Sequence, residues 1–206
     1  MTRKKADKGW MARHVRDPYV QRAARAGYRS RAAFKLLEVE ARDRLLRPGI
    51  RVLDLGAAPG GWSQVAAQRV GSAGRVVAAD LVPMDPIRGV HVIQGDLRDA
   101  VLQARIEEAL GGKADLVLSD MAPKLSGVAS ADEARAQELV DTALALSAEL
   151  LKPEGALLVK MFHGSGLEAV IKRMRAVFAK VDMRKPPASR SGSSEVYALC
   201  RGLKRG

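Results

Sequence analysis

Val52-Leu53-Asp54-Leu55-Gly56-Ala57-Ala58-Pro59-Gly60-Gly61-Trp62 is the stretch on which the fold turns. A short apolar strand runs into a loop of small residues, and a helical pattern follows at once. Glycine admits backbone angles closed to other residues, and the missing side chains let a ligand approach the main chain. The first turn of the helix offers free N–H groups to an anionic moiety. In an open α/β sheet such a turn lies at the carboxyl edge of the strands, where ligands bind.

Working outward, the chain alternates apolar strands and helices. Strands are predicted at 50–55, 75–80, 90–94, 114–119 and 155–161, and helices near 61–70, 99–110, 131–151 and 166–178. Ser130-Ala131-Asp132-Glu133 has the form of a capping box and is expected to open the third of these helices. Two further strands, 180–184 and 195–201, have no room for a helix between them and should form an antiparallel hairpin. Upstream, Asp17-Pro18 starts a short helix ending at Arg25, and Ser30 opens a second to about Leu45 with Ala33, Phe34, Leu37 and Ala41 on its apolar face. The expected fold is α/β: a seven-stranded, mostly parallel sheet ending in an antiparallel hairpin, with helices on both faces. That is the layout of a Rossmann-like class I methyltransferase. Residues 1–16 read as a flexible basic extension, and 17–206 as one domain whose helical segment 17–47 is placed to bind substrate.

Acidic residues recur where the strands end. Asp80 ends the second strand, Asp96 follows the third and Asp120 ends the fourth, while Asp54 lies within the first. An acid about twenty residues beyond a glycine loop grips ribose hydroxyls, and Asp80 stands twenty positions after Gly60. Asp96 is placed to accept from an adenine amino group, whereas Asp99 reads as a helix N-cap. A nicotinamide site is the competing reading. Its G-x-G-x-x-G fingerprint would need a glycine where Ala58 stands, and Pro59 stiffens the same turn.

Charge is concentrated at the two ends. The net charge is +12, made up of +8 over residues 1–44, −4 over 45–171 and +8 over 172–206. Such basic ends imply a polyanionic partner, and nucleic acid is expected. Aromatic residues make up only 4% of the chain, so backbone contacts should outweigh base stacking. The basic residues expected to grip phosphates are Arg22, Arg25, Arg29, Arg31, Arg184, Lys185 and Arg190. Cys200 is the single cysteine, the three histidines share no metal-ligand spacing, and no apolar run reaches membrane-spanning length. No metal and no membrane partner are therefore expected, and the reading is a cytoplasmic monomer.

Several stretches together resemble the FtsJ/RlmE family of ribosomal RNA 2′-O-methyltransferases. They are SRAAFKL (30–36), DLGAAPGGWSQ (54–64), DLVPMDPI (80–87), QGDLRD (94–99), SDMAP (119–123), LLVKMF (157–162) and RKPPASRSGSSEVY (184–197). The resemblance implies S-adenosylmethionine as methyl donor and a catalytic tetrad at Lys35, Asp120, Lys160 and Glu195. It implies donor binding by Asp54, Gly56, Ala58, Pro59, Gly60, Gly61, Trp62, Asp80, Asp96, Leu97 and Asp120. The implied acceptor is a uridine in the A-loop of 23S rRNA, within the large ribosomal subunit. Independently, Asp120 and Lys160 fall at strand ends, and the antiparallel last strand brings its first residue, Glu195, to the same edge. A lysine interrupting an apolar strand suits proton handling, because burial disfavours its charged form. One departure is Lys124, where the family commonly carries Asn. Transfer RNA as acceptor, or a non-catalytic assembly factor on the same fold, remain the competing readings.

Overall fold

The computed structural model describes residues 17–190 and 192–204, so the expected basic extension at 1–16 lies outside the described residues. Asp17 caps helix α1 (Pro18–Arg25) by accepting from Tyr19 N, with Pro18 in the first turn, where its missing N–H costs nothing. Helix α2 follows (Ala32–Asp43), then β1 (Arg51–Leu55), α3 (Gly61–Val70), β2 (Arg75–Asp80) and β3 (Val90–Gln94). The second half comprises α4 (Ala100–Leu110), β4 (Ala114–Ser119), α5 (Ala129–Leu150), β5 (Leu151–Phe162), α6 (Leu167–Val177), β6 (Phe178–Arg184) and β7 (Glu195–Leu203).

The seven strands form one sheet in the order β3-β2-β1-β4-β5-β7-β6. The β1–β2, β2–β3, β1–β4 and β4–β5 pairs are parallel, while β7 runs antiparallel to both β5 and β6. Strand order reverses between β1 and β4, which opens the ligand crevice of a doubly wound sheet at their carboxyl ends. Alternate residues face opposite layers. Leu53, Val77, Val117, Leu157 and Ala198 pack under α4, α5 and α6, while Val52, Val76, Leu116, Leu158 and Tyr197 pack under α2 and α3.

Three local expectations change. Helix α2 buries Ala33, Leu36 and Val39 against the sheet, while Ala41 is exposed. The apolar stripe is thus rotated from the 33/37/41 reading, and Phe34 and Leu37 form a small second cluster with Ala23 and Ala188. Helix α2 also ends at Asp43, before the Pro48-Gly49 turn, because Glu40 accepts from the N–H groups of both Leu45 and Leu46. Helix α5 starts at Ala129, so Ser130 lies inside its first turn and makes no cap. The supposed box residues instead hold loops: Asp132 accepts from Ser126 and Gly127, and Glu133 from Ser165 and Gly166 N.

Candidate active site

The loop after β1 turns at Gly56 and Gly60, both at positive φ (69° and 106°). A Cβ at Gly56 would stand 2.2 Å from Met121 Cγ, so only glycine lets β1 and the β4 loop meet this closely. Between them opens a cleft of about 840 Å³ lined by Gly56, Ala58, Asp80, Asp96, Leu97 and Asp120, among others. That volume is within the range of cofactor clefts. Asp80 reaches into the loop, its Oδ2 accepting from Ala58 N at 2.9 Å and its Oδ1 from Val82 N at 2.8 Å. Each oxygen keeps a second lone pair for a ligand hydroxyl. Asp96 is more committed. Arg98 donates to it from Nε and backbone N at 3.0 Å and from Nη2 at 2.6 Å, and these hydrogen bonds hold its carboxyl down at about 2.

The remaining loop residues lie on the α2 side of the loop, beside Gly56, Ala58 and Asp120. Pro59, Gly61 and Trp62 line a small cleft with Ser30 and Asp54 on the α2 side. Gly60 lies under Met84 and Ile87, which a Cβ would meet at 2.9 and 2.4 Å. Trp62 is buried, donates from Nε1 to Ala32 O at 2.7 Å, and packs against Tyr197, so it anchors the start of α2. Asp54 is buried as well and accepts from Ser63 Oγ at 2.6 Å. Burial pushes its carboxyl up to about 7, against the lowering effect of the Ser63 hydrogen bond, with Asp120 and Asp80 adding repulsion.

Beside the cleft the four expected charged residues meet. Lys160 Nζ lies 3.1 Å from Asp120 Oδ1 and donates to Asp120 O at 2.6 Å. Lys35 Nζ sits 3.9 Å from Asp120 Oδ1 and straddles Glu195, at 2.8 Å from Oε1 and 2.9 Å from Oε2. Burial would raise the Glu195 carboxyl, but the hydrogen bond and charge of Lys35 outweigh it and hold it below the usual range. Sheet register explains the convergence. Phe162 pairs with Glu195 and Lys160 with Tyr197, so the antiparallel β7 begins where β5 ends. Helix α2 packs over that edge and supplies Lys35 from its buried face.

Tyr197 is the residue that sequence reasoning passed over. Its hydroxyl donates to Asp120 Oδ1 at 2.7 Å, and its ring lies under Lys35 Nζ at 5.8 Å. Burial pushes the phenol well above its ordinary range, and the neighbouring carboxylates add to this, so it stays a donor. Period-2 alternation from Glu195 was the available signal, since both side chains share one face of β7.

A model of the FtsJ-like methyltransferase family matches residues 28–203. The chain belongs to the FtsJ-like methyltransferase family. A protein of Azoarcus sp. (strain BH72) named Ribosomal RNA large subunit methyltransferase E is 56% identical over 200 residues, covering 97% of this chain and 98% of that one. A protein of the same name from Pseudomonas aeruginosa is 50% identical over 205 residues, covering 99% of each. Among solved structures, one described as a ribosomal RNA methyltransferase from Plasmodium falciparum superposes with a TM-score of 0.77 at 28% identity, over 85% of this chain and 98% of that one. Aeropyrum pernix fibrillarin, solved with S-adenosyl-L-methionine, shares the fold at a TM-score of 0.60 and 16% identity, over 84% of this chain and 75% of its own.

Most of the expected phosphate ligands of this FtsJ-like methyltransferase are engaged by other groups of the protein. Arg29 donates to the carbonyls of Pro59, Asp85 and Pro86. Arg31 is engaged by Asp17 and Ala188 O, Arg184 by Asp43, Lys185 by Ser193 O and Glu195 O, and Arg190 by Asp17. Arg22 lies over the rings of Phe34 and Tyr19, at 4.6 and 5.4 Å. Of the seven expected phosphate ligands, only Arg25 lacks a side-chain partner among the described residues. Arg31 and Arg190 tie the α1–α2 module to the β6–β7 loop, and all seven were selected by charge alone because sequence does not show which carbonyls a guanidinium reaches.

Proposed function

We propose that this chain methylates a ribose 2′-hydroxyl of large-subunit ribosomal RNA from S-adenosylmethionine, with an A-loop uridine of 23S rRNA as acceptor in the bacterial cytoplasm. The observation that carries the reading is the cluster of buried Lys160, Lys35 and Glu195 around the half-buried Asp120 at the rim of the cleft. The cleft suits the donor. Asp80 keeps lone pairs for ribose hydroxyls, Leu81, Leu97 and Met121 flank a flat ring, and the bare Gly56 backbone permits close approach. When bound, S-adenosylmethionine supplies a methyl group made electrophilic by its sulfonium.

The chain's own residues then handle the nucleophile. An ammonium has three donors, and Lys160 directs two of them at Asp120 O and Oδ1. The third direction is left for the incoming 2′-hydroxyl. As the ammonium, Lys160 orients that oxygen; as the neutral amine, its lone pair takes the proton as the carbon–oxygen bond forms. Asp120 holds Lys160 in place, and Tyr197 in turn holds Asp120. Lys35, fastened by Glu195, adds positive charge next to the developing alkoxide. Segment 17–47 is proposed as the part of the domain that seats the RNA, since it delivers Lys35.

The test uses labelled donor with free 23S rRNA and with large subunits from a strain lacking the protein, followed by mapping of the methylated nucleotide. Lys160→Ala should lose at least about a hundredfold in kcat while binding the donor normally. Near-normal turnover in that variant would exclude Lys160 from the chemistry.

A further inference from the structure

A second cavity of about 300 Å³ opens beyond Lys160, between the first turns of α5, the start of α6 and the segment after β5. Helix α5 separates it from the donor cleft: Glu133, Gln137 and Val140 face the second cavity, whereas Glu138, Leu139 and Thr142 face the cleft. We propose that this cavity receives the base of the acceptor nucleotide, turned out of its RNA stack; this rests on the RNA-methylating reading above.

Four observations support it. First, the cavity lies close to the reactive lysine: Lys160 Nζ is 5.9 Å from the ring centroid of Phe162, which forms part of its wall. That is comparable to the span from a ribose 2′-hydroxyl to its own base. Second, the wall is mainly apolar, with Met161, Leu167 and Val170 behind Phe162, which suits a flat ring presented face-on. Third, the half-buried Gln137 amide has neither its donor nor its acceptor engaged among the described residues. A carboxamide matches the adjacent acceptor and donor of a base edge. Gly166 makes room for that amide, since a Cβ there would stand 1.8 Å from Gln137 Nε2. Fourth, the acids nearby discourage phosphate but are already engaged, Glu133 by Ser165 and Gly166 N and Asp132 by Ser126 and Gly127 N. Lys124 follows the wall residue Pro123 and has no ion-pair partner among the described residues, so the phosphates would pass over it while the base goes inside.

The experiment places 4-thiouridine at the acceptor position of an otherwise natural A-loop RNA, irradiates the complex with the full-length protein and maps the zero-length cross-link. Cross-links to residues 161–167 or 133–140 are expected. Phe162→Leu and Gln137→Ala should each raise the KM for RNA at least about fivefold while leaving donor affinity unchanged. Cross-links confined to residues 19–37, or to the probe only when it replaces a neighbouring nucleotide, would overturn the assignment, as would an unchanged KM in both variants. If the wild-type protein methylates no large-subunit RNA, the underlying reading falls with it; if it methylates normally and cross-links elsewhere, the cavity alone is excluded.

Discussion

Tyr197 and Asp54 show how single side chains set the properties of this site. The Tyr197 hydroxyl donates to the same Asp120 oxygen that faces Lys160, so it governs the angle at which Asp120 presents itself. Tyr197→Phe removes that donor and keeps the ring packed on Trp62. It should lower kcat roughly tenfold with little change in KM or donor affinity; an unaltered kcat would reduce Tyr197 to a packing residue. Asp54 has the opposite character, a carboxyl raised by burial to about 7. Between its unfolded value near 3.8 and about 7 the native state binds the extra proton. Its contribution to stability is therefore full below about pH 4 and is lost as pH rises through about 7. Asp54→Asn should flatten that part of the stability–pH curve, an effect on the order of a few kcal/mol, read by urea unfolding at stepped pH. Cys200 belongs at this scale too. Burial pushes its thiol up to about 12, so a thiol reagent should label it only after unfolding.

At the level of elements, the placement of α2 matters most, because it carries Lys35 across the sheet edge. Its C-terminal end is fastened by Asp43, which accepts from Arg184 Nε and Nη2 at 2.7 Å each, with Arg201 at 3.4 Å. Its outer face is tied to the β6–β7 loop through Glu38, which accepts from Ala188 N. Both side chains of the Arg184–Asp43 pair are nearly buried, at 11% and 7% exposure. Removing Arg184 leaves the Asp43 carboxylate with only the longer Arg201 contact. Arg184→Ala should cost about 1.5–3 kcal/mol, seen as a lower urea midpoint. The hydrogen bond from Arg184 also holds the Asp43 carboxyl below its ordinary value. That stabilisation is present above the usual carboxylate range and fades as pH falls through the lowered value, opposite in sign to Asp54. None of this was legible beforehand. The partners of Asp43 lie 141 and 158 residues away, and no local pattern pairs them.

For the whole molecule, the net charge of +12 still predicts RNA binding that weakens with salt, but the residues responsible are redistributed. Arg25→Ala and Lys124→Ala should each reduce the slope of log affinity against log salt by about one, measured by filter binding over a salt series. Arg31→Ala should act chiefly through stability, since its guanidinium joins Asp17 to Ala188 O. The fold itself was readable from periodicity. Strand–helix alternation around Val52–Trp62 prescribes a parallel sheet, and the missing crossover before residue 195 prescribes the antiparallel β7, because both follow from local pattern and chain length. The meeting of Asp120, Lys160 and Glu195 at one edge follows from the same topology. What tertiary structure alone decided is which groups pair. It made Trp62 a clasp for α2, joined Arg31 to Asp17 and Arg184 to Asp43, and set Tyr197 on Asp120. Periodicity depends on neighbours in the chain, whereas hydrogen bonds and ion pairs depend on angstrom-scale distances between distant segments, and those exist only once the sheet has closed.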